Sequence, residues 1–122
     1  MSIAVYTTHN TELSKIENII DSINLEKSYF LAYNNFIPQI TNKACINFYH
    51  IINQVQHPVL FLNHLDFNEG SHYFSGRKIL VISKSDIINV DKNVVDNTTE
   101  VFFEENNKIR KAKNAELQSI FR

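Results

Sequence analysis

The chain has 122 residues, of which 43% are hydrophobic and 20% charged, with a net charge of -1, two glycines and two prolines. This composition excludes global disorder and a Gly/Pro-rich linker, so we expect one domain over residues 1–122. Its apolar runs have the length of a strand, whereas a membrane-spanning helix needs roughly 20 apolar residues. With a single cysteine and no basic region ahead of an apolar stretch at the N-terminus, we expect a cytoplasmic protein without a secretory signal.

The first half of the chain alternates strand patterns with helix patterns. Residues 3–7 are short, β-branched and aromatic and predict a first strand, and apolar side chains at helical spacing predict a helix over residues 12–24. Residues 28–33 predict a second strand, and residues 41–54, which follow Pro38, predict a second helix. Strands that alternate with helices favour a parallel sheet.

The second half of the chain predicts shorter elements. In order, these are an extended segment at 59–62, a turn-rich stretch at 63–76, a buried strand at 77–83, a strand or short element at 87–90 and a strand at 99–103. Residues 105–121 predict a closing helix, because apolar side chains recur along them. The expected fold is α/β: a single domain with a largely parallel central sheet, helices on both faces, and the look of a nucleotide-binding fold without a phosphate loop.

The stretch from Gly70 to Lys78 superficially resembles a phosphate loop that ends in Gly-Lys. Five residues separate Gly70 from Gly76 where the phosphate loop has four. The stretch also precedes a predicted strand, so it presents no helix N-terminus to an anion. We therefore expect no nucleotide at this stretch.

The histidines and the cysteine do not form a recognisable catalytic or metal-binding pattern. His50, His57 and His64 stand seven residues apart, but they fall on a predicted helix, beyond its end and after a predicted strand, and no Cys or carboxylate accompanies them at ligand spacing. Cys45 has no predicted base beside it. We expect no metal, cofactor or catalytic group. One alternative stays open: a small enzyme of the nucleotide-binding fold class that uses His64 or His72 as a general base.

Charge is divided unevenly along the chain. Residues 1–107 hold seven basic and twelve acidic side chains, whereas residues 108–122 hold five basic side chains and one acidic. Four cations fill the first turns of the predicted closing helix: Lys108, Arg110, Lys111 and Lys113. Cations at a helix start oppose the helix dipole. The cluster is therefore either a solvated face neutralised by the acidic body or a surface for an anionic partner, for which an acidic peptide fits better than nucleic acid.

Short segments spread over most of the chain share their order with a known family: Ile3–Tyr6, Tyr29–Tyr33, Ile51-Ile52, Phe61–Leu65, Asn68–Gly70, Lys78–Ile82, Asp86–Val90 and Thr99–Val101 ahead of a basic C-terminal end. In this order the chain resembles the chi subunit of bacterial DNA polymerase III, a non-catalytic member of the clamp-loader assembly. It departs from that family where Ile52 and Asn63 replace a Trp and a Pro, and where Ala115 and Glu116 replace a second base and an aromatic residue of the last helix.

The resemblance implies a bridging protein that docks on the psi subunit and grips the acidic C-terminal tail of single-stranded DNA-binding protein. It implies contact with DNA only through that partner, and no contact with a membrane. For the tail we expect Lys111 and Lys113 as cations, Arg110 as their support, and Ile52 and Phe61 as the apolar wall. A further alternative is an interaction module without a family counterpart, whose basic helix engages another acidic surface.

Overall fold

The computed structural model describes residues 3–6, 18–19, 21–22, 29–33 and 58–118. Six strands lie within these ranges: β1 (Ile3–Tyr6), β2 (Tyr29–Tyr33), β3 (Val59–Phe61), β4 (Lys78–Ile82), β5 (Thr99–Glu105) and β6 (Lys108–Lys111). The α-helices with defined bounds are α1 (His64–Gly70) and α2 (Asn114–Gln118), and short 3-10 helices span Ser71–Tyr73, Lys84–Asn89 and Lys92–Val94. In the described ranges, no helix is long and apolar enough to cross a membrane.

The six strands form one sheet in the order β2-β1-β3-β4-β5-β6. All neighbouring pairs are parallel except β5 and β6, which are antiparallel. Because β1 lies between β2 and β3, the chain crosses to one side of β1 and then returns to the other, as in doubly wound α/β proteins. The predicted α/β fold with a largely parallel central sheet is confirmed.

Side chains that alternate along the strands β3, β4 and β5 pack on opposite faces of the sheet and belong to two cores. One face carries the rings of Tyr6, Phe61 and Phe103, and we call it the aromatic face. The other carries Val5, Leu60, Ile79 and Val81, and we call it the aliphatic face. Phe67 of α1 packs in the aromatic core, whereas Ile19, in the helical residues 18–19 and 21–22, packs in the aliphatic core. Helices therefore cover both faces.

The structure describes two of the predicted helices only in part or not at all. Residues 18, 19, 21 and 22 are helical, in agreement with the helix predicted over 12–24, whose other residues lie outside the described ranges. The helix predicted over 41–54 lies wholly outside them. The strand or short element predicted at 87–90 is the 3-10 helix Lys84–Asn89, which buries Ile87.

The prediction of a turn-rich stretch at 63–76 is wrong, because the first half of these residues forms the helix α1. The side chain of Asn63 accepts a hydrogen bond from the Asp66 N–H at 2.8 Å, and its Nδ2 donates to Asp66 Oδ2 at 3.1 Å. This reciprocal N-cap satisfies a free N–H of the first turn and places Phe67 in the core. Polar residues that are typical of a turn therefore form the N-cap of a helix here.

The prediction of a closing helix over 105–121 is also wrong, because residues 105–111 belong to a β-hairpin. β5 runs on to Glu105, and Asn106 and Asn107 then have φ angles of 51° and 62°. Two consecutive left-handed residues make the tight turn that suits a two-residue hairpin. β6 then pairs back on β5 with Arg110 opposite Phe103, and of the described residues after it only Asn114–Gln118 are helical. Pairing with β5 satisfies the backbone groups of Lys108, Arg110 and Ala112, which face that strand.

The close approach between α1 and β1 gives a first prediction, for Gly70→Ala. A Cβ atom at Gly70 would lie 2.5, 2.7 and 2.9 Å from Cζ, Cε1 and Cε2 of Tyr6, whose ring is fixed in the aromatic core. Alanine favours a helix over glycine by about 1 kcal/mol, but overpacking a core costs more. We expect a net loss of about 1–2 kcal/mol in the free energy of unfolding, measured with urea. The matched control is Glu69→Ala, an exposed neighbour on α1 that should leave stability almost unchanged, and equal stability of the two variants would contradict the contact.

The hairpin turn gives a second prediction, at Asn107. Replacement by valine forces a β-branched residue into the left-handed region and should cost about 1–2 kcal/mol. Replacement by glycine should keep or raise stability, because Asn-Gly is the preferred pair for this turn. Urea unfolding of both variants compares them directly, and a valine variant as stable as the glycine variant would argue against the hairpin.

Candidate functional site

The basic residues near the C-terminus lie on an edge strand, which separates them instead of clustering them. β6 is the last strand of the sheet, and its side chains alternate between faces. Arg110 lies on the aromatic face opposite Phe103, whereas Lys111 lies on the aliphatic face opposite Phe102. The prediction that Lys108, Arg110, Lys111 and Lys113 cluster in the first turns of a helix is therefore wrong.

Arg110 is engaged within the protein. Its Nη1 and Nη2 donate to Glu116 Oε1 and Oε2 at 2.8 and 3.0 Å, and its Nε lies 3.6 Å from Glu105 Oε2. The guanidinium also lies 5.4 Å from the centre of the Phe103 ring. Because both ends of the guanidinium already face carboxylates, the role of Arg110 in this structure is to hold α2 against the hairpin.

Glu116 receives donors from three directions. Besides Arg110, the backbone N–H of Lys113 donates to Oε1 at 3.0 Å, and Lys84 Nζ lies 3.0 Å from Oε2. The bond from Arg110 is the largest of the influences that hold the pKa of the Glu116 carboxyl well below its ordinary value, followed by those from Lys113 N–H and Lys84. The same pair raises the pKa of Arg110. The contact with Lys113 also caps the start of α2.

Three lysines remain directed to solvent at this edge. Lys111 is 65% exposed, with Nζ 3.5 Å from Glu100 Oε1, but that carboxylate is shared with Arg77, whose Nη2 donates to it at 3.2 Å. Lys108 and Lys113 are exposed, and among the described residues no carboxylate forms an ion pair with either. We call Lys108, Ile109, Lys111 and Lys113 the cationic edge. An open groove of about 380 Å³ lies beside it, lined by Glu105, Asn106, Lys108, Ile109 and Arg110.

The backbone of β6 is paired on one side only. The Ala112 N–H donates to Val101 O at 2.9 Å, so the N–H and C=O groups of Ala112, and of alternate residues before it, face β5. The backbone groups of Ile109 and Lys111 consequently face away from the sheet. In the part of the chain that the structure describes, no strand pairs with this outer side.

The two residues expected to form an apolar wall are placed differently. Phe61 is fully buried in the aromatic core, with its ring centre 5.4 Å from those of both Tyr6 and Phe67, so it has no surface to offer a peptide. Ile52 lies outside the described residues. The apolar side chain of the cationic edge is instead Ile109, which is half-buried and packs with the aliphatic core.

The Gly70–Lys78 stretch does not form a phosphate site in the structure. Gly70 ends α1, and Lys78 Nζ is buried, donating to the carbonyl oxygens of Phe74 and Gly76 at 3.0 and 3.3 Å. The same nitrogen lies 3.5 Å from Asp96 Oδ2. The lysine that would meet a phosphate is therefore held by internal acceptors.

The structure describes both histidines of the alternative enzyme hypothesis. His64 is half-buried at the first position of α1, and His72 is exposed, with its ring centre 4.1 Å from that of Tyr73 and the two rings tilted by 37°. His50, His57 and Cys45 lie outside the described residues. Across residues 58–118 and the shorter described ranges, no group of three His, Cys, Asp or Glu side chains could hold a metal ion.

Lys108 was predicted as part of the basic cluster but not as a residue that binds the tail, whereas Ile109 as a surface group and Glu116 as the partner of Arg110 were not predicted from the sequence. Two signals pointed to the hairpin: the Asn106-Asn107 pair between β-rich segments, and the cations at the start of a supposed helix, where they oppose its dipole. Comparison with known proteins adds no homologue, since no family model, curated protein or solved structure matches the chain.

The Glu116 contacts give a third prediction, for Glu116→Gln. A carboxyl whose folded pKa is depressed contributes stability that is complete above its unfolded pKa, about 4.3, and is lost as the pH falls toward the folded value. Wild type should therefore melt above the variant at neutral pH, and the difference should shrink below about pH 4 and in high salt. Thermal melts across pH measure this. Glu104→Gln is the control, because Glu104 is exposed and has no ion pair among the described residues, and an equal pH dependence for both variants would contradict the Glu116 network.

Proposed function

We propose that this protein is a non-catalytic interaction module that binds an acidic peptide at its cationic edge. In the role that its resemblance to the chi subunit implies, it bridges the clamp-loader assembly of a bacterial replicative DNA polymerase, through psi, to the acidic C-terminal tail of single-stranded DNA-binding protein. The observation that carries the proposal is the set of exposed lysines on β6 and after it, on a chain whose first 107 residues carry twelve acidic and seven basic side chains.

The cations differ in whether they are already paired within the protein, and this difference supports a peptide ligand. Arg110 and Lys84 already face Glu116, so they stabilise the edge without contributing free charge. Lys108 and Lys113 keep their charge for an external anion, and Lys111 shares Glu100 with Arg77. Long, exposed lysine side chains suit carboxylates that arrive in several positions along a flexible tail.

The surroundings of the lysines argue against a polyanion such as DNA as the direct ligand. Glu100, Glu104 and Glu105 lie on β5, next to β6, and would repel a continuous phosphate backbone. A short acidic tail can place its few carboxylates between these groups. Since each exposed ion pair is worth only about 0–1 kcal/mol, its affinity should be modest and should fall as salt rises.

Charge reversal gives a fourth prediction. The probe is a fluorescent peptide that copies the tail of the organism's own single-stranded DNA-binding protein, titrated with the full chain at low and high salt. Lys108→Glu, Lys111→Glu and Lys113→Glu should each weaken binding about three- to tenfold at low salt, because each loses an attraction and gains a repulsion. Fluorescence anisotropy measures the change.

Lys92→Glu is the matched control, because Lys92 is exposed in a 3-10 helix, makes no ion pair with a described residue, and undergoes the same change in charge. It should leave binding almost unchanged at high salt, where only local pairs persist. A peptide with an amidated C-terminus tests whether the free carboxylate contributes. Equal effects of all four charge reversals would show that binding depends only on the net charge of the protein. The lack of any binding by the wild type would contradict the proposed function.

A further inference from the structure

We propose that the acidic peptide binds as an additional β-strand on the outer side of β6. This inference rests on the proposed function and specifies how its ligand is held. Strand addition needs an unpaired sheet edge with backbone groups in extended register, and side chains of the ligand that suit those of the edge. The cationic edge meets both requirements.

The backbone supplies the first requirement. The bond from Ala112 N–H to Val101 O sets the parity of β6, so Lys108 and Arg110 turn their N–H and C=O groups toward β5, while Ile109 and Lys111 turn theirs outward. No strand of the described residues pairs with this side, so two N–H and two C=O groups are available there in the spacing of a strand. α2 does not take this place, since Leu117 packs against the aromatic core on one face of the sheet.

The side chains specify the ligand. On an added strand, residues opposite Lys108 and Lys111 stand three apart, and they point to opposite faces because three is odd. The residue opposite Ile109 shares a face with the one opposite Lys111 and is adjacent in sequence to the one opposite Lys108. The expected ligand is therefore an extended segment with two carboxylates three residues apart and an apolar residue next to one of them.

The lysines of β6 favour an acidic peptide over a second copy of the chain as the added strand. Pairing of β6 with another β6 would bring the lysines of one edge against those of the other, and like charges across a strand pair are destabilising. Edge lysines protect a sheet from pairing with itself in this way. The same lysines attract a strand that carries carboxylates. A nucleic acid has no peptide groups in strand register to pair with Ile109 and Lys111.

Amide exchange measured by NMR on the full chain tests the binding mode residue by residue. With saturating tail peptide, the amide protons of Ile109 and Lys111 should exchange at least tenfold more slowly than in the free protein. The amide protons of Lys108 and Arg110, which already face β5, should change far less and serve as internal controls. Equal protection of all four amides, or no protection of Ile109 and Lys111 in a protein that binds the peptide, would overturn strand addition.

Two sets of synthetic peptides test the register. In an added strand, every second amide of the peptide points its N–H group toward β6. N-methylation of these amides should weaken binding about tenfold, whereas N-methylation of the amides between them should have little effect. A peptide with two Asp three residues apart should bind more tightly than one of equal composition with the two Asp adjacent.

The outcomes separate the two proposals. Binding that is weakened by Lys108→Glu and Lys111→Glu but is indifferent to the parity of N-methylation leaves the proposed function in place and overturns strand addition. Binding of no acidic peptide overturns both. Concentration-dependent self-association without peptide, detected by sedimentation, would show that a second copy takes the edge and would also overturn strand addition.

Discussion

The left-handed turn at Asn106 and Asn107 is the constraint on which the cationic edge depends. Two successive residues with positive φ reverse the chain so tightly that Lys108 falls directly opposite Glu105. From that first pair, antiparallel geometry fixes which backbone groups of β6 face the sheet, and alternation fixes the face of every side chain. A turn longer by one residue would exchange the faces of Arg110 and Lys111 and turn the outward backbone groups inward.

The carboxylate of Glu116 then determines which cations remain available. By binding Arg110, Lys84 and the N–H of Lys113 together, it ties the hairpin, the segment after β4 and the start of α2 to one acceptor. The cations left for a partner are lysines with separate environments, not a single basic patch. The edge therefore provides charge at intervals along a line, which suits an extended anion better than a compact one.

The strands β1 to β5 could be predicted from the sequence because they depend on local content: Ile79, Leu80 and Val81 form a β-branched and apolar run that needs burial on both faces. The hairpin was mistaken for a helix because Ile109 and Ala112, three residues apart, fit a helical period, whereas in the structure they lie on opposite faces of the sheet and pack in different cores. Two features could not be predicted without the three-dimensional fold. The bond between Arg110 and Glu116 joins a strand to a helix, and the complete burial of Phe61 follows from its place in the middle of the sheet.

The hairpin also changes what the resemblance to the chi subunit can mean for this chain. In a basic helix, cations three or four residues apart share a face and address one pocket. In β6, Lys108 and Lys111 lie on opposite faces, and the peptide groups of Ile109 and Lys111 point outward along the same edge. The ligand that we propose would therefore meet charges and backbone groups along one line. Lysines that keep two copies of β6 apart by repulsion are, for the same electrostatic reason, complementary to an acidic strand. In the binding mode that we propose, protection of the edge and selection of an acidic partner are thus two consequences of one charge pattern.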